Sequence, residues 1–229
     1  MSKQQVTLID HMGSDLTVVN AARVSMDKES EWAGKCPEGE DVLRLEDHKL
    51  ISYLATHNHW TPFGHPQTTF RIKAPIFVAR QLGKHQVGMV WNEVSRRYVD
   101  TQPEFYSPDM WRKRADNVKQ GSSDEAVFYS DDIPYCFDDF IVSPENLNKS
   151  ALDTYAYLLD SGVCPEQARM VLPQSMMTEW YWTGSLAAWS RVCKLRLDSH
   201  TQKETQEIAQ MISEHMSKLY PVSWEALNV

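Results

Sequence analysis

Residues 67–73, QTTFRIK, set Thr68, Phe70 and Ile72 against Thr69, Arg71 and Lys73, the period-two alternation of a strand with one covered face. Pro75 follows, suited to the first position of a helix because its missing N–H is not needed there, and PIFVARQL then reads as a helix that stops at Gly83. A chain with a half-covered strand running straight into a helix needs a sheet with helices against one side. That constraint points to a mixed α+β fold.

The rest of the pattern agrees. QVTLI, residues 5–9, alternates weakly as a strand, and DLTVVNAARVSM reads as a strand running into a short helix. SEWAGKCPEGED is a loop by its Gly, Pro and acids, and residues 41–57 carry Val42, Leu45, Leu50, Ile51 and Leu54 near helical spacing. Residues 101–148, with QGSSDE and YSDDIPY, read as a long irregular excursion. The C-terminal third is mostly helical. SALDTYAYLLDSG places Leu152, Tyr155, Leu158 and Leu159 on one face with Gly162 as a stop, and PEQARMVL runs from Pro165 to Pro173. TEWYWT is a short strand, SLAAWSRVCKLRL follows, and a long helix spans residues 199–219 up to Pro221. With 229 residues and no repeat or boundary, a single domain over residues 1–229 is expected.

A formal net charge of −8 disfavours nucleic acid and anionic membranes as partners. MSKQQVTLIDHMGSD lacks the apolar stretch of a signal peptide, and no run approaches the roughly 18 apolar residues of a membrane span. A soluble, cytoplasmic protein is expected. Cys36, Cys136, Cys164 and Cys193 are far apart with no CxxC pair, which leaves them as thiols in a reducing compartment.

Against this acidic background RQLGKHQVGMVWNEVSRRY, residues 80–98, gathers Arg80, Lys84, His85, Arg96 and Arg97 with Glu93 as its only acid. Guanidinium forks suit phosphate and carboxylate groups. Asn92, Glu93, Ser95 and Tyr98 add directional hydrogen bonding and Trp91 a ring to pack on, a mixture that suits a nucleotide better than bare phosphate. A solvated basic face or intersubunit ion pairs are the plainer account of such a cluster. The remaining Trp and Met side chains suit core and subunit contact. His59 and His85 lack a third ligand at metal spacing, so hydrogen bonding is their expected role and no metal is expected. His200, after Asp198 and Ser199, fits a cap network.

APIFVARQ, the Lys84-His85-Gln86 triplet and NEVSRRY, with NAARVS and HNHWTPFGH upstream and EQARMVLP and LRLDSH downstream, resemble the flavin-dependent thymidylate synthases. The blocks span most of the chain in the family's order. Two departures fall inside the signature: Lys84 and Gln86 replace arginines, and eight residues instead of seven separate the triplet from Ser95. Lys84 keeps charge without the fork, Gln86 loses charge, and Gly64 stands where the family commonly has Glu.

The resemblance implies a central, mostly antiparallel sheet flanked by helices, and conversion of dUMP to dTMP with methylenetetrahydrofolate as carbon donor and NADPH-reduced FAD as hydride carrier. It implies that Gln81, Lys84, Glu93, Ser95, Arg96, Arg97, Arg169 and Arg196 bind dUMP, with Arg169 coming from a neighbouring subunit and Arg196 catalytic. Arg196 would stabilise negative charge on the pyrimidine, although an arginine meeting helix-end carbonyls or Asp198 is an equally plain local account. Flavin contacts would fall at Thr61, Lys84, His85, Gln86, Glu93, Ser185, Ala187 and Arg191, where Ser185 and Ala187 stand in for the family's Asn and Arg. A homotetramer with intersubunit sites is implied as well. Two other classes stay open: a transferase using a Cys193 thiolate, and a noncatalytic nucleotide-binding module.

Overall fold

The computed structural model describes residues 2–116, 121–129, 136–137, 140–141 and 143–228. Its centre is a four-stranded sheet formed by β1 (Gln5–Met12), β4 (Gln67–Pro75), β10 (Met177–Ser185) and β5 (Met89–Glu93), in the order β1-β4-β10-β5. Every neighbouring pair is antiparallel, as the family resemblance implies. Phe70, Ile72 and Ala74 of β4 and Trp180 and Trp182 of β10 are fully buried on one face, so the alternation seen in the sequence is the alternation of core and surface.

Helices α3 (Ile76–Leu82), α6 (Leu186–Arg196) and α7 (Lys203–Leu219) supply Val78, Leu82, Leu186, Trp189, Val192, Ile208, Ile212 and Met216 to the same core. Trp182 meets Trp189 edge-on at 4.8 Å between ring centres, and Phe70 meets Trp189 at 5.0 Å. Such offset aromatic packing joins sheet to helix through large buried areas.

Several elements depart from the sequence reading. DLTVVNAARVSM contains no strand: Gly13, at φ +84°, turns the chain out of β1, the Ser14 N–H donates to Thr17 Oγ1, and α1 (Asp15–Arg23) starts at once. SEWAGKCPEGED is closed by a two-residue ladder, β2 (Gly34–Lys35) with β3 (Asp41–Val42), before α2 (Leu45–Thr56). Pro75 is the last residue of β4 and caps α3 in an extended conformation, one position earlier than expected.

The excursion carries order of its own. β6 (Met110–Arg114) and β7 (Ser122–Tyr129) form an antiparallel ribbon, and β8 (Cys136–Phe137) pairs with β9 (Phe140–Ile141). The rest of YSDDIPY and the Cys136 side chain lie outside the described residues.

α4 (Pro144–Asp160) starts earlier than expected, because Ser143 Oγ accepts from the Asn146 N–H and caps it. Gly162, at φ +85°, ends it, with the Gly162 and Val163 N–H groups turned back to Leu159 and Leu158 carbonyls. α5 (Pro165–Ala168) and one 3₁₀ turn make up PEQARMVL. α7 begins at Lys203, not Ser199, and Pro221 opens a further helix, α8 (Pro221–Asn228).

The two ends of the chain are tied together. The buried Asp15 carboxylate accepts from the Val222 and Ser223 N–H groups at 3.0 and 2.9 Å, capping α8. Gln4 donates to the Glu204 carbonyl at 3.0 Å, and the Tyr220 hydroxyl to that of Met12 at 3.3 Å. No helix among the described residues is long and apolar enough to cross a membrane.

Candidate active site at the ends of α3 and α6

α3 leaves its last carbonyls without helical partners, as every helix end does. Arg196, the final residue of α6, supplies one: its Nη2 donates to the Gln81 carbonyl at 3.0 Å, and its Nε donates to His85 Nε2 at 3.0 Å. A cation at a helix C-terminus is favoured by the peptide dipoles. The local reading of Arg196 as a partner of helix-end carbonyls is therefore correct, but the carbonyl belongs to another helix. Asp198 is occupied elsewhere, accepting from the His200 N–H at 2.8 Å and facing His200 Nδ1 at 3.0 Å. These contacts close a turn ahead of α7, whose N-cap is Gln202, so His200 does not cap that helix as expected.

Arg196, Gln81, Lys84, His85 and Gln86 line one cavity of about 830 Å³. β5 completes its wall. Strand alternation turns Met89, Trp91 and Glu93 to the cavity side, and Trp91 stacks on Trp180 with ring centres 4.4 Å apart and planes 17° apart. Trp91 thus joins the aromatic core to the cavity. Gly184 sits opposite Met89, and a Cβ there would come within 2.2 Å of the Met89 sulfur.

A second cavity, of about 560 Å³, holds Arg96, Arg169 and Lys73, and Glu93 lines both. The Glu93 carboxylate is fixed by Thr178 Oγ1 at 2.6 Å and faces Trp91 Nε1 at 3.3 Å. Arg169 therefore shares a cavity with Arg96 within one chain. Arg97 points away to Glu166, at 3.2 Å, while its N–H meets Ser95 Oγ at 3.3 Å.

The flavin set is divided. Lys84, His85, Gln86 and Glu93 line the larger cavity, whereas Arg191 does not line it and its Nη2 donates to the Val87 carbonyl at 2.8 Å. Ser185 caps α6 by accepting from the Ala188 N–H, and Ala187 is buried in the core. Thr61 is exposed at the start of the PFG turn and lines neither cavity. His59 stands in an aromatic cluster with Tyr53 and His57, apart from the His85 cavity.

The chemistry of the donors suits a phosphate-bearing cofactor. Lys84 has no ion-pair partner among the described residues, and two of the five N–H bonds of Arg196 are used in the contacts above. Gly88, at φ +73°, brings the turn close to α6, where a Cβ would stand 3.3 Å from that of Ala188. Burial, then Arg196, then Arg191 push the His85 pKa below its ordinary value of 6.5.

Four residues not expected from the sequence, Gln202, Thr205, Arg112 and Glu204, organise the site. Gln81 donates through Nε2 to Gln202 Oε1, and its Oε1 accepts from Thr205 Oγ1 at 3.1 Å. Arg112 of the ribbon donates to Glu204. The available signal was polarity out of place: Glu204 and Thr205 are buried at the head of the stripe formed by Ile208, Ala209 and Ile212.

Cys193 is poorly placed to be a nucleophile. It is 1% exposed, its sulfur faces the Ala209 carbonyl, and burial pushes its thiol up to about 12, away from the thiolate such chemistry needs.

Comparison with known proteins gives a consistent picture. The family model of the thymidylate synthase complementing protein matches residues 7–222. A flavin-dependent thymidylate synthase of Thermosipho africanus is 39% identical over 237 residues, covering 99% of this chain and 91% of that protein. One from Thermus thermophilus is 37% identical over 228 residues, covering 100% of this chain and 77% of that protein. Among solved structures, the UMP/dUMP methylase PolB from Streptomyces cacaoi, bound with 5-Br dUMP, superposes with a TM-score of 0.79 at 34% identity, covering 98% of this chain and 94% of PolB.

Proposed function

The chain belongs to the thymidylate synthase complementing protein family and is a methyltransferase, and from that premise we propose that it methylates dUMP to dTMP, with methylenetetrahydrofolate as carbon donor and FAD, reduced by NADPH, as hydride carrier. One observation carries the reading. Arg196 is lodged against His85 and Gln81 with donors to spare, in a cavity that also holds Lys84 and adjoins the Arg96–Arg169 cavity through Glu93.

In this proposal the nucleotide lies across the seam marked by Glu93. Arg96, Arg169 and Ser95 take its phosphate, joined by Arg97 once it leaves Glu166, while Gln81 and Arg196 meet the pyrimidine and Lys84 adds charge at the rim. Gln81 is held at both ends of its amide, so it meets the base already oriented. Arg196 stabilises negative charge on the ring oxygens as the base becomes nucleophilic, an electrostatic role that needs no protein nucleophile.

Lys84, His85, Gln86 and Arg191 would hold the FAD, with Glu93 at the boundary between cofactor and nucleotide. FAD, when bound, supplies the redox chemistry that completes the methyl group. Thr61 is exposed outside the cavity of one chain, which supports a homotetramer in which neighbouring copies complete each site, whereas Ser185 is taken up in capping α6. The acidic surface fits small-molecule substrates in the cytoplasm, with no nucleic-acid or membrane partner.

Anaerobic turnover with dUMP, methylenetetrahydrofolate, NADPH and FAD, each omitted in turn, tests the proposal. Every omission should abolish dTMP formation. UMP belongs in the same series, because PolB was also solved with 5-Br UMP. Undiminished product without FAD removes the flavin, and tight dUMP binding with no product in the full mixture leaves a binding module.

A further inference from the structure

We infer that His85 is a positioning residue for Arg196: its Nε2, held unprotonated, accepts the Nε–H of the guanidinium and fixes how the remaining donors face the cavity. The inference deepens the methyltransferase reading, and its kinetic test rests on that reading. Its structural test does not.

An arginine Nε can only donate, so the 3.0 Å contact makes His85 Nε2 the acceptor and places the imidazole proton on Nδ1. The backbone from which the ring projects is anchored: the His85 N–H donates to the Leu82 carbonyl at 3.0 Å just past the end of α3. Arg196 is then gripped at two points, His85 Nε2 and the Gln81 carbonyl. Two contacts on one rigid planar fork set its plane, and three N–H bonds remain for a substrate.

The charged groups around the ring are mostly cationic. Arg80 and Lys84 belong to its own segment, Arg191 and Arg196 come from α6, and Glu93 on β5 is the carboxylate of the same cavity. Protonating His85 would set two cations 3.0 Å apart and remove the acceptor from the Arg196 Nε. Half-burial and the two α6 arginines oppose that state. His85 therefore acts as a threshold: Arg196 is held above the imidazole pKa and released below it.

Histidine-labelled protein, followed by nitrogen NMR, reads this without any turnover. The Nδ1–H tautomer should dominate at pH 7, titrate below 6.5, and titrate higher in Arg196→Met. An Nε2–H tautomer, or a titration indifferent to Arg196→Met, overturns the inference. In the kinetic arm, His85→Phe should lower kcat about 10- to 100-fold. It should have little further effect in an Arg196→Lys background, whereas losses that multiply would mean that the residues act separately. His85→Gln, which restores an acceptor, should recover part of kcat and abolish the acid limb of the pH profile. A parent enzyme that makes no dTMP counts against the methyltransferase chemistry, and the tautomer measurement still decides the role of His85.

Discussion

Arg112 on the ribbon donates at 2.8 Å to the carboxylate of Glu204 in the first turn of α7. Arg112 Nε also holds Ser122 Oγ at 2.7 Å, so the two strands of the ribbon and the head of α7 meet at one guanidinium. Gln202 and Thr205, on either side of Glu204, hold Gln81. The ribbon is thereby fastened to the element that orients the proposed base-binding residue.

The pair is nearly dry, with side-chain exposures of 16% for Arg112 and 5% for Glu204; Arg112 meets Glu204 Oε1, and Oε2 has no hydrogen-bond partner among the described residues. Arg112→Met should lower stability by about 3 kcal/mol, since it strands a buried carboxylate. The double variant Arg112→Met/Glu204→Met should recover much of that loss. Urea midpoints measured on all three proteins check it, and a double variant no better than the single would contradict the burial argument.

Cys193→Ser should leave dTMP formation close to that of the parent while lowering stability by about 1 kcal/mol, because a hydroxyl fills the buried site less well than a thiol. Initial rates together with thermal melts separate the two effects. A lost rate at full stability would restore the thiol to the reaction.

Gly88→Ala places a side chain at φ +73° and brings its Cβ 3.3 Å from that of Ala188. A loss of about 1–2 kcal/mol is expected from the left-handed backbone alone. The Val87 carbonyl held by Arg191 is the neighbouring group, so FAD uptake, followed by the flavin absorbance, should weaken as well.

Arg196→Ala removes a donor to the pyrimidine and should lower kcat by about 100- to 1,000-fold. α6 is held mainly by its buried Leu186, Trp189 and Val192, so the variant should melt within a few degrees of the parent. Unchanged turnover would take Arg196 out of the mechanism.

Local pattern revealed what local physics determines. The alternation of Phe70 and Ile72, the glycine stop at Gly162 and the aromatic strand around Trp180 and Trp182 all report burial or backbone geometry within a few residues. α8 was hidden because Pro221 stops one helix and opens the next equally well. The ribbon was hidden because its polar strands lack an apolar stripe of their own. Within the site, the cationic cluster was visible as composition, but its arrangement was not. The Arg196–His85 contact joins residues 111 positions apart, and Gln81 meets Thr205 across 124. Nothing in either short segment encodes its partner.

The tie between Asp15 and Val222 at the start of α8 spans 207 residues, and it sets an order of events during synthesis. The first helix finds early mates in α2, through Arg23 and Asp47, but the groups that meet its Asp15 carboxylate arrive only when almost the whole polypeptide has followed. Such late closure slows folding and leaves apolar segments uncovered in the meantime. Closure of the core at Asp15 thus waits on translation of the last helix, and a premature stop before Val222 would yield a chain without the backbone N–H groups that Asp15 is placed to meet.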